Sequence, residues 1–186
     1  MTAQFRHKSA YGYTGTGKST LLKERVAYYR KYKQQVIIYA GTGDIDFPQG
    51  CQFVWSADEL EAALVNPENY GAFILLDEGA ALYEEVQRKI HPNVHGLFMR
   101  GRHKGYTVWI ATQYPTSIPR RIRLNCAERY LFATLDENAA QEIWKDCGRI
   151  DFEGIPLWQA IMKLNRFEYF RYVHPGEITR HITRKT

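Results

Sequence analysis

The 186 residues are 45% hydrophobic, 24% charged and 14% aromatic, which excludes a disordered chain and fits one compact domain over 1–186. No uncharged apolar run approaches the roughly 18 residues of a membrane span, and the opening lacks a signal-peptide core, so a soluble cytosolic protein with no direct membrane span is expected. The 25 Lys and Arg against 20 Asp and Glu leave a net charge of +5, and three widely spaced cysteines without a CxxC pair suggest neither a disulfide framework nor a zinc site.

In chain order, Gln4 to Tyr11 reads as a strand, Gly12 to Gly17 as a glycine-rich turn and Lys18 to about Tyr32 as a helix. Val36 to Tyr39 is a β-branched strand ended by Gly41 and Gly43, and Gln52 to Trp55 a short third strand. Ser56 and Glu59 form a capping box before Leu60, Ala63 and Leu64, and Pro67 stops that helix. Ala72 to Leu76 is an unbroken apolar run of the kind a parallel sheet buries on both faces, and it ends at Asp77-Glu78. Helices over 80–90 and about 93–103 flank Pro92, and Thr107 to Ala111 is another buried strand, closed by Thr112-Gln113. A strand at Arg129 to Thr134, a helix from Glu137 to Asp146 capped by Asp136, a helix within 155–164 and a strand at Phe167 to Val173 follow, with a basic C-terminal tail from about 174. Strands alternating with helices predict an α/β fold whose mainly parallel sheet carries its ligand site at the carboxyl ends of the strands.

The segment Gly12-Tyr13-Thr14-Gly15-Thr16-Gly17-Lys18-Ser19 matches GxxxxGK[ST] at every fixed position. Its glycines let backbone N–H groups converge on an oxyanion, and the following helix offers unpaired donors and the positive end of its dipole. ATP phosphates are the expected occupant: Lys18 reaches the β and γ phosphates, the Ser19 hydroxyl ligates Mg²⁺, and Thr20 faces the α phosphate. The strand before the loop, Phe5 to Ala10, is more polar than a central strand should be, which leaves its depth in the sheet open.

Phe73 to Glu78 has the form of a Walker B element, a buried strand that projects two carboxylates. Asp77 is expected to hold the magnesium shell through water, and Glu78 to polarise the attacking water as general base. Basic residues gather at Arg100, Arg102, His103 and Lys104, at Arg120, Arg121 and Arg123, and at Arg180, His181, Arg184 and Lys185, which favours a polyanionic partner.

Arg102-His103-Lys104-Gly105, the apolar strand, Ala111-Thr112-Gln113 and Pro115 together resemble the arginine, glycine, strand, Ala-Thr-Gln and proline order of FtsK/HerA-type DNA-pumping ATPases. The resemblance covers about Gly12 to Asn138, and the short chain is most similar to the small genome-packaging ATPases of tailless, membrane-containing icosahedral viruses. It implies a P-loop NTPase three-layer sandwich of the RecA/FtsK-HerA type, with Gln113 as the γ-phosphate sensor. It also implies Arg102, or Arg100 in reserve, as an arginine finger given to the neighbouring subunit. By the same resemblance the partners are double-stranded DNA, further copies in a ring of five or six, and a capsid or packaging vertex, in the host cytoplasm or at the virion. Arg120, Arg121 and Arg123 would face phosphates or the adjacent subunit. A P-loop small-molecule kinase and a nucleotide-gated adaptor with little turnover are the alternatives that the phosphate loop leaves open.

Overall fold

The computed structural model describes residues 7–32, 34–41, 46–87 and 91–183. The expected strand start at Gln4, the turn residue Gly43, the 88–90 end of a predicted helix, and Arg184 and Lys185 lie outside them. The elements are β1 (His7–Tyr11), α1 (Lys18–Lys31), β2 (Val36–Ala40), β3 (Gln52–Val54), α2 (Ala57–Val65), β4 (Phe73–Asp77), α3 (Gly79–Val86) and α4 (Pro92–Arg100). They continue with β5 (Thr107–Thr112), α5 (Arg120–Asn125), β6 (Cys126–Phe132), α6 (Glu137–Asp146), β7 (Asp151–Phe152), β8 (Ile155–Pro156), α7 (Leu157–Met162), β9 (Glu168–Val173) and β10 (Glu177–Ile182). Among the described residues, eight strands form one sheet in the order β10-β9-β6-β1-β5-β4-β2-β3, and β7 and β8 pair separately. Pairing is parallel from β6 to β3 and antiparallel where β9 meets β6 and β10 meets β9. This is the α/β, mainly parallel architecture that the alternation of elements predicts.

The two-residue side-chain period of the strands explains their apolar runs. Ile37, Ile74, Leu76, Val108 and Ile110 point to one face, where α2 to α5 cover them through residues such as Leu60, Leu82, Leu97 and Ile122. Ile38, Phe73, Leu75, Trp109 and Ala111 point to the other and pack under Leu21, Leu22 and Val26 of α1. Toward β9 and β10 the first face continues, with Tyr11, Leu131 and Phe170 buried beneath Ile143 of α6 and Ile161 of α7. Three layers result, as the resemblance implies. Cys126 and Cys147 are buried free thiols, and Cys51 is free and half-buried.

β1 lies between β5 and β6 in spite of its polarity. Its two basic side chains, Lys8 and His7, are accommodated separately. Lys8 pairs with buried Glu128 of β6 at 2.8 Å and lies 5.3 Å from the ring centre of Trp109. Burial, aided by the charge of Arg102, pushes the His7 imidazole down to about 4, so it is buried in its neutral form. β6 starts at Cys126 and not at Arg129, because buried Glu128, which the sequence leaves outside the strand, is paired there with Lys8.

Two local expectations are met with changes. Ser56 accepts a hydrogen bond from the Glu59 N–H at 3.2 Å, but the Glu59 carboxylate reaches back to the Trp55 N–H at 2.8 Å, one residue earlier than in a reciprocal box. The basic segment from about 174 does not trail from the sheet: residues 177–182 form β10 along β9, with Arg180 paired to Glu168 at 2.8 Å.

Glu128 anchors the joint between β1, β6 and β9. Burial alone would raise its carboxyl, but hydrogen bonds from Arg171, Lys8 and Tyr130 prevail and hold its pKa at about 2. A carboxyl depressed in this way adds stability that is complete above its ordinary value of 4.5 and fades as pH falls through 2. Glu128→Gln is therefore expected to cost about 3 kcal/mol at neutral pH, with the difference from wild type shrinking toward zero in strong acid. Urea unfolding of both proteins across that pH range checks it.

Candidate active site

The phosphate loop is built from both ends. At its root the Gly12 N–H donates to the Thr112 carbonyl at 3.4 Å and the Tyr13 N–H to the Ala133 carbonyl at 3.2 Å, so the loop is stitched to the ends of β5 and β6. A Cβ on Gly12 would stand 2.5 Å from that of Phe132, which only glycine avoids. The Thr16 hydroxyl donates to the Tyr13 carbonyl at 2.8 Å and closes the turn. Gly17, with φ of 102°, starts α1 in the left-handed region, and no side chain caps the helix there. Its first N–H groups and its dipole therefore face the cleft.

Asp77 ends β4 buried, and Glu78 turns the chain in the left-handed region at φ 58° before α3. The turn is tight because Gly79 lies against β5: a Cβ there would meet Ile110 Cγ1 at 2.4 Å. The Thr112 hydroxyl donates to Glu78 Oε1 at 2.7 Å while accepting from the Tyr114 N–H at 3.0 Å. The Thr14 hydroxyl donates to Gln113 Oε1 at 2.8 Å. Burial pushes the Lys18 ammonium below its ordinary value, while Asp77 and Glu78 pull in the opposite direction.

One cleft thus gathers Tyr13, Thr14, Gly15, Gly17, Lys18, Ser19 and Thr20 with Asp77, Glu78 and Gln113. Gly12 and Thr16 are buried beneath and shape the loop. The donors fit a magnesium nucleotide. Glycines keep the cradle free of Cβ atoms, and a hydroxyl and a carboxylate are hard oxygen ligands. Among the described residues no cluster of three or more His, Cys, Asp or Glu offers a protein-only cage. An ion that keeps water and phosphate oxygens in its shell needs no such cage.

Arg102 is not in this cleft. It is exposed in the short 3-10 turn Gly101–Lys104 that precedes β5, at the strand end opposite to Gln113, and Arg100 is exposed at the end of α4. Arg123 corrects an expectation: only 4% of it is exposed. Its Nε pairs with Asp146 at 2.5 Å and its Nη1 donates to the Pro115 and Ile118 carbonyls, so it fastens α5 to α6 and is closed to any phosphate. Arg120 and Arg121 stay exposed.

Four residues of the site escape the sequence reading. Thr112 orients Glu78, and Arg166 and Phe167 line the cleft. Thr183 donates its N–H and its hydroxyl to the Phe167 carbonyl, and the Phe167 N–H in turn donates to the Thr16 carbonyl at 2.8 Å. Thr112 was visible as a polar strand end. The others join the loop across about 150 residues, and the only local hint is the polar break Asn165-Arg166 before β9.

A family model described as zonular occludens toxin (Zot) matches residues 48–141. No curated protein matches the chain. Among solved structures, B204, the DNA-packaging ATPase from Sulfolobus Turreted Icosahedral Virus, is similar at a TM-score of 0.75 and 17% identity over 97% of this chain and 98% of that one. The genome packaging NTPase B204 from Sulfolobus turreted icosahedral virus 2 in complex with AMPPCP is similar at a TM-score of 0.75 and 16% identity over 95% and 96%. The N-terminal domain of zonular occludens toxin from Neisseria meningitidis is similar at a TM-score of 0.51 and 15% identity over 95% and 93%. At these identities the likeness is one of fold.

The contact of Gly79 with Ile110 generates a prediction independent of any ligand. Gly79→Ala is expected to destabilise the protein by about 1–3 kcal/mol through overpacking. Ile110→Ala should relieve it, so the double variant loses less than the sum of the two single ones. Thermal melts of the four proteins decide; additive losses would place the conflict elsewhere.

Proposed function

The chain belongs to the zonular occludens toxin (Zot) family, and we propose that it is an ATP-hydrolysing motor that works as a ring of five or six copies to move double-stranded DNA, with packaging of a viral genome into a preformed capsid as its task. The observation that carries the reading is the convergence of Lys18, Asp77, Glu78 and Gln113 under one uncapped, glycine-rich helix start. A loop that only bound a phosphate would not need a carboxylate held in place by a threonine.

In this reading the loop N–H groups and Lys18 bind the β and γ phosphates, and Ser19 directly and Asp77 through water would hold a magnesium ion, which would supply charge neutralisation at the phosphates. Glu78, with Oε1 fixed by Thr112, presents its other oxygen to a water, takes its proton and directs the oxygen at the γ phosphorus. A P–O bond forms as the bond to the β,γ-bridging oxygen breaks, and ADP and phosphate leave. Gln113 senses the γ phosphate, since its amide can donate while its oxygen is held by Thr14. Arg102, exposed and away from its own cleft, serves the cleft of the next copy and offsets charge that develops in the transition state. The whole chain acts as one unit, in the host cytoplasm or at the packaging vertex, and its exposed arginines grip the DNA backbone without regard to sequence. The fold shared with B204, a DNA-packaging ATPase, supports this assignment.

Glu78→Gln is expected to keep Mg-ATP binding and lower turnover by about two orders of magnitude or more. Unchanged turnover would reject the mechanism. Stimulation of turnover by double-stranded DNA should fall steeply between about 50 and 200 mM salt. When Arg102→Ala subunits are mixed with wild type, activity should fall more steeply than the wild-type fraction; a linear fall would remove Arg102 from the neighbour's site.

A further inference from the structure

Resting on the reading of the cleft as a triphosphate site, we infer that Arg166 is a second cationic phosphate ligand, supplied by the same chain that owns the cleft and anchored on the phosphate loop. Arg166 lies in the turn between α7 and β9 and lines the same cleft as Glu78 and Gln113. Its Nε donates to the Gly15 carbonyl at 3.0 Å, and its guanidinium lies 4.8 Å from the ring centre of Phe167. The backbone beneath it is fixed, because Phe167, in the left-handed region at φ 70°, is bonded to Thr16 on one side and to Thr183 on the other.

The two terminal nitrogens of Arg166 make no hydrogen bond or ion pair with any described residue, in contrast to its neighbours. Glu168, the nearest carboxylate in the sequence, accepts instead from Arg180 at 2.8 Å and from the Asn165 N–H at 2.8 Å. Nearby Arg171 is bound to Glu128. An arginine held by one nitrogen and one face, with its fork free at the rim of an anion cradle, is preorganised for a phosphate oxygen. Charge points the same way. Lys18 against Asp77 and Glu78 leaves the cleft with one net negative charge, and Arg166 restores neutrality before any metal binds. The role differs from that of Arg102, which stands outside its own cleft. It also differs from base recognition, in which the guanidinium would stack on the nucleoside.

Two variants and two probes test this on the full chain with magnesium present. The probes are ATP and inorganic tripolyphosphate, which has no base, and calorimetry measures both. Arg166→Ala is expected to weaken both by about tenfold. Arg166→Lys, which keeps the charge but lacks the Nε anchor and the fork, should recover only part of that loss. The Arg166→Ala deficit should shrink as salt rises from about 50 to 500 mM, whereas a defect in loop shape would not. Equal binding by wild type and Arg166→Ala overturns the inference while the nucleotide site stands, and so does a loss for ATP alone, which would assign Arg166 to the base. A salt-independent loss overturns it in favour of loop positioning. If wild-type protein takes up neither probe, the reading of the cleft itself fails.

Discussion

The hydrogen bond from the Thr112 hydroxyl to Glu78 joins the end of β5 to the end of β4, and the remaining geometry of the cleft depends on that joint. β5 lies between β1, which feeds the phosphate loop, and β4, which feeds the acidic pair, so the two halves of the site never touch through the sheet directly. They meet through β5 alone. Thr112 fixes the carboxylate on one side, and Gln113 accepts from Thr14 of the phosphate loop on the other. Gly79 makes the joint possible by letting α3 start in contact with Ile110, and the left-handed turn at Glu78 follows from that close approach. A polar strand end is ordinarily a place where a chain meets water. Here the last residue of one strand and the residue after it act as a crossbar between two loops.

The phosphate loop has a second support, which comes from the far end of the chain. The Thr183, Phe167 and Thr16 backbones are linked in series, and a Cβ on Gly17 would collide with Phe167 and Thr183 at 2.8 Å. The hairpin of β9 and β10 is therefore a brace for the start of α1 as well as an edge of the sheet. A loop whose N–H groups must converge on an anion loses conformational entropy when it closes, and bracing it beforehand lowers that cost. This gives the antiparallel extension a role that sheet pairing alone does not explain, and it places Arg166 where it is.

Much of this was legible in the sequence, for reasons that differ by residue. Gly12 to Thr20 and the run from Phe73 to Glu78 carry their geometry within a few residues of chain: loop, helix start and strand end are local events. β4 could be read because an apolar run of that length suits a strand covered on both faces. β1 could not be read with the same assurance, since its Lys8 and His7 become acceptable in a central strand only beside Glu128 and under burial that keeps the imidazole neutral. Arg123 misled for the converse reason. In the sequence it is one of three clustered arginines, and only the fold brings Asp146 to within 2.5 Å of it. The clamp of Arg166, Phe167 and Thr183 was invisible because hydrogen bonds that end on backbone carbonyls over such separations leave no mark on the residue type of the acceptor. Phe167 in particular reads as a strand residue, while it stands just outside β9 with its backbone in the left-handed region.

The position of Arg102 bears on assembly more directly than any surface charge does. It precedes β5 while Gln113 follows it, so the two are separated by the length of a six-residue strand, about 20 Å at ~3.3 Å per residue. An arginine side chain spans about a third of that, so no rotamer brings Arg102 to its own cleft. Arg102 can reach the chemistry only if the amino-terminal edge of one copy's sheet faces the carboxyl-terminal edge of another's. That contact joins two different surfaces, and a head-to-tail contact between different surfaces either closes into a ring or runs on as a filament. Arg166 behaves in the opposite way, since its anchor on Gly15 ties it to the cleft of its own chain. In the proposed motor, one arginine would thus report that the nucleotide is seated and the other that a neighbour has arrived.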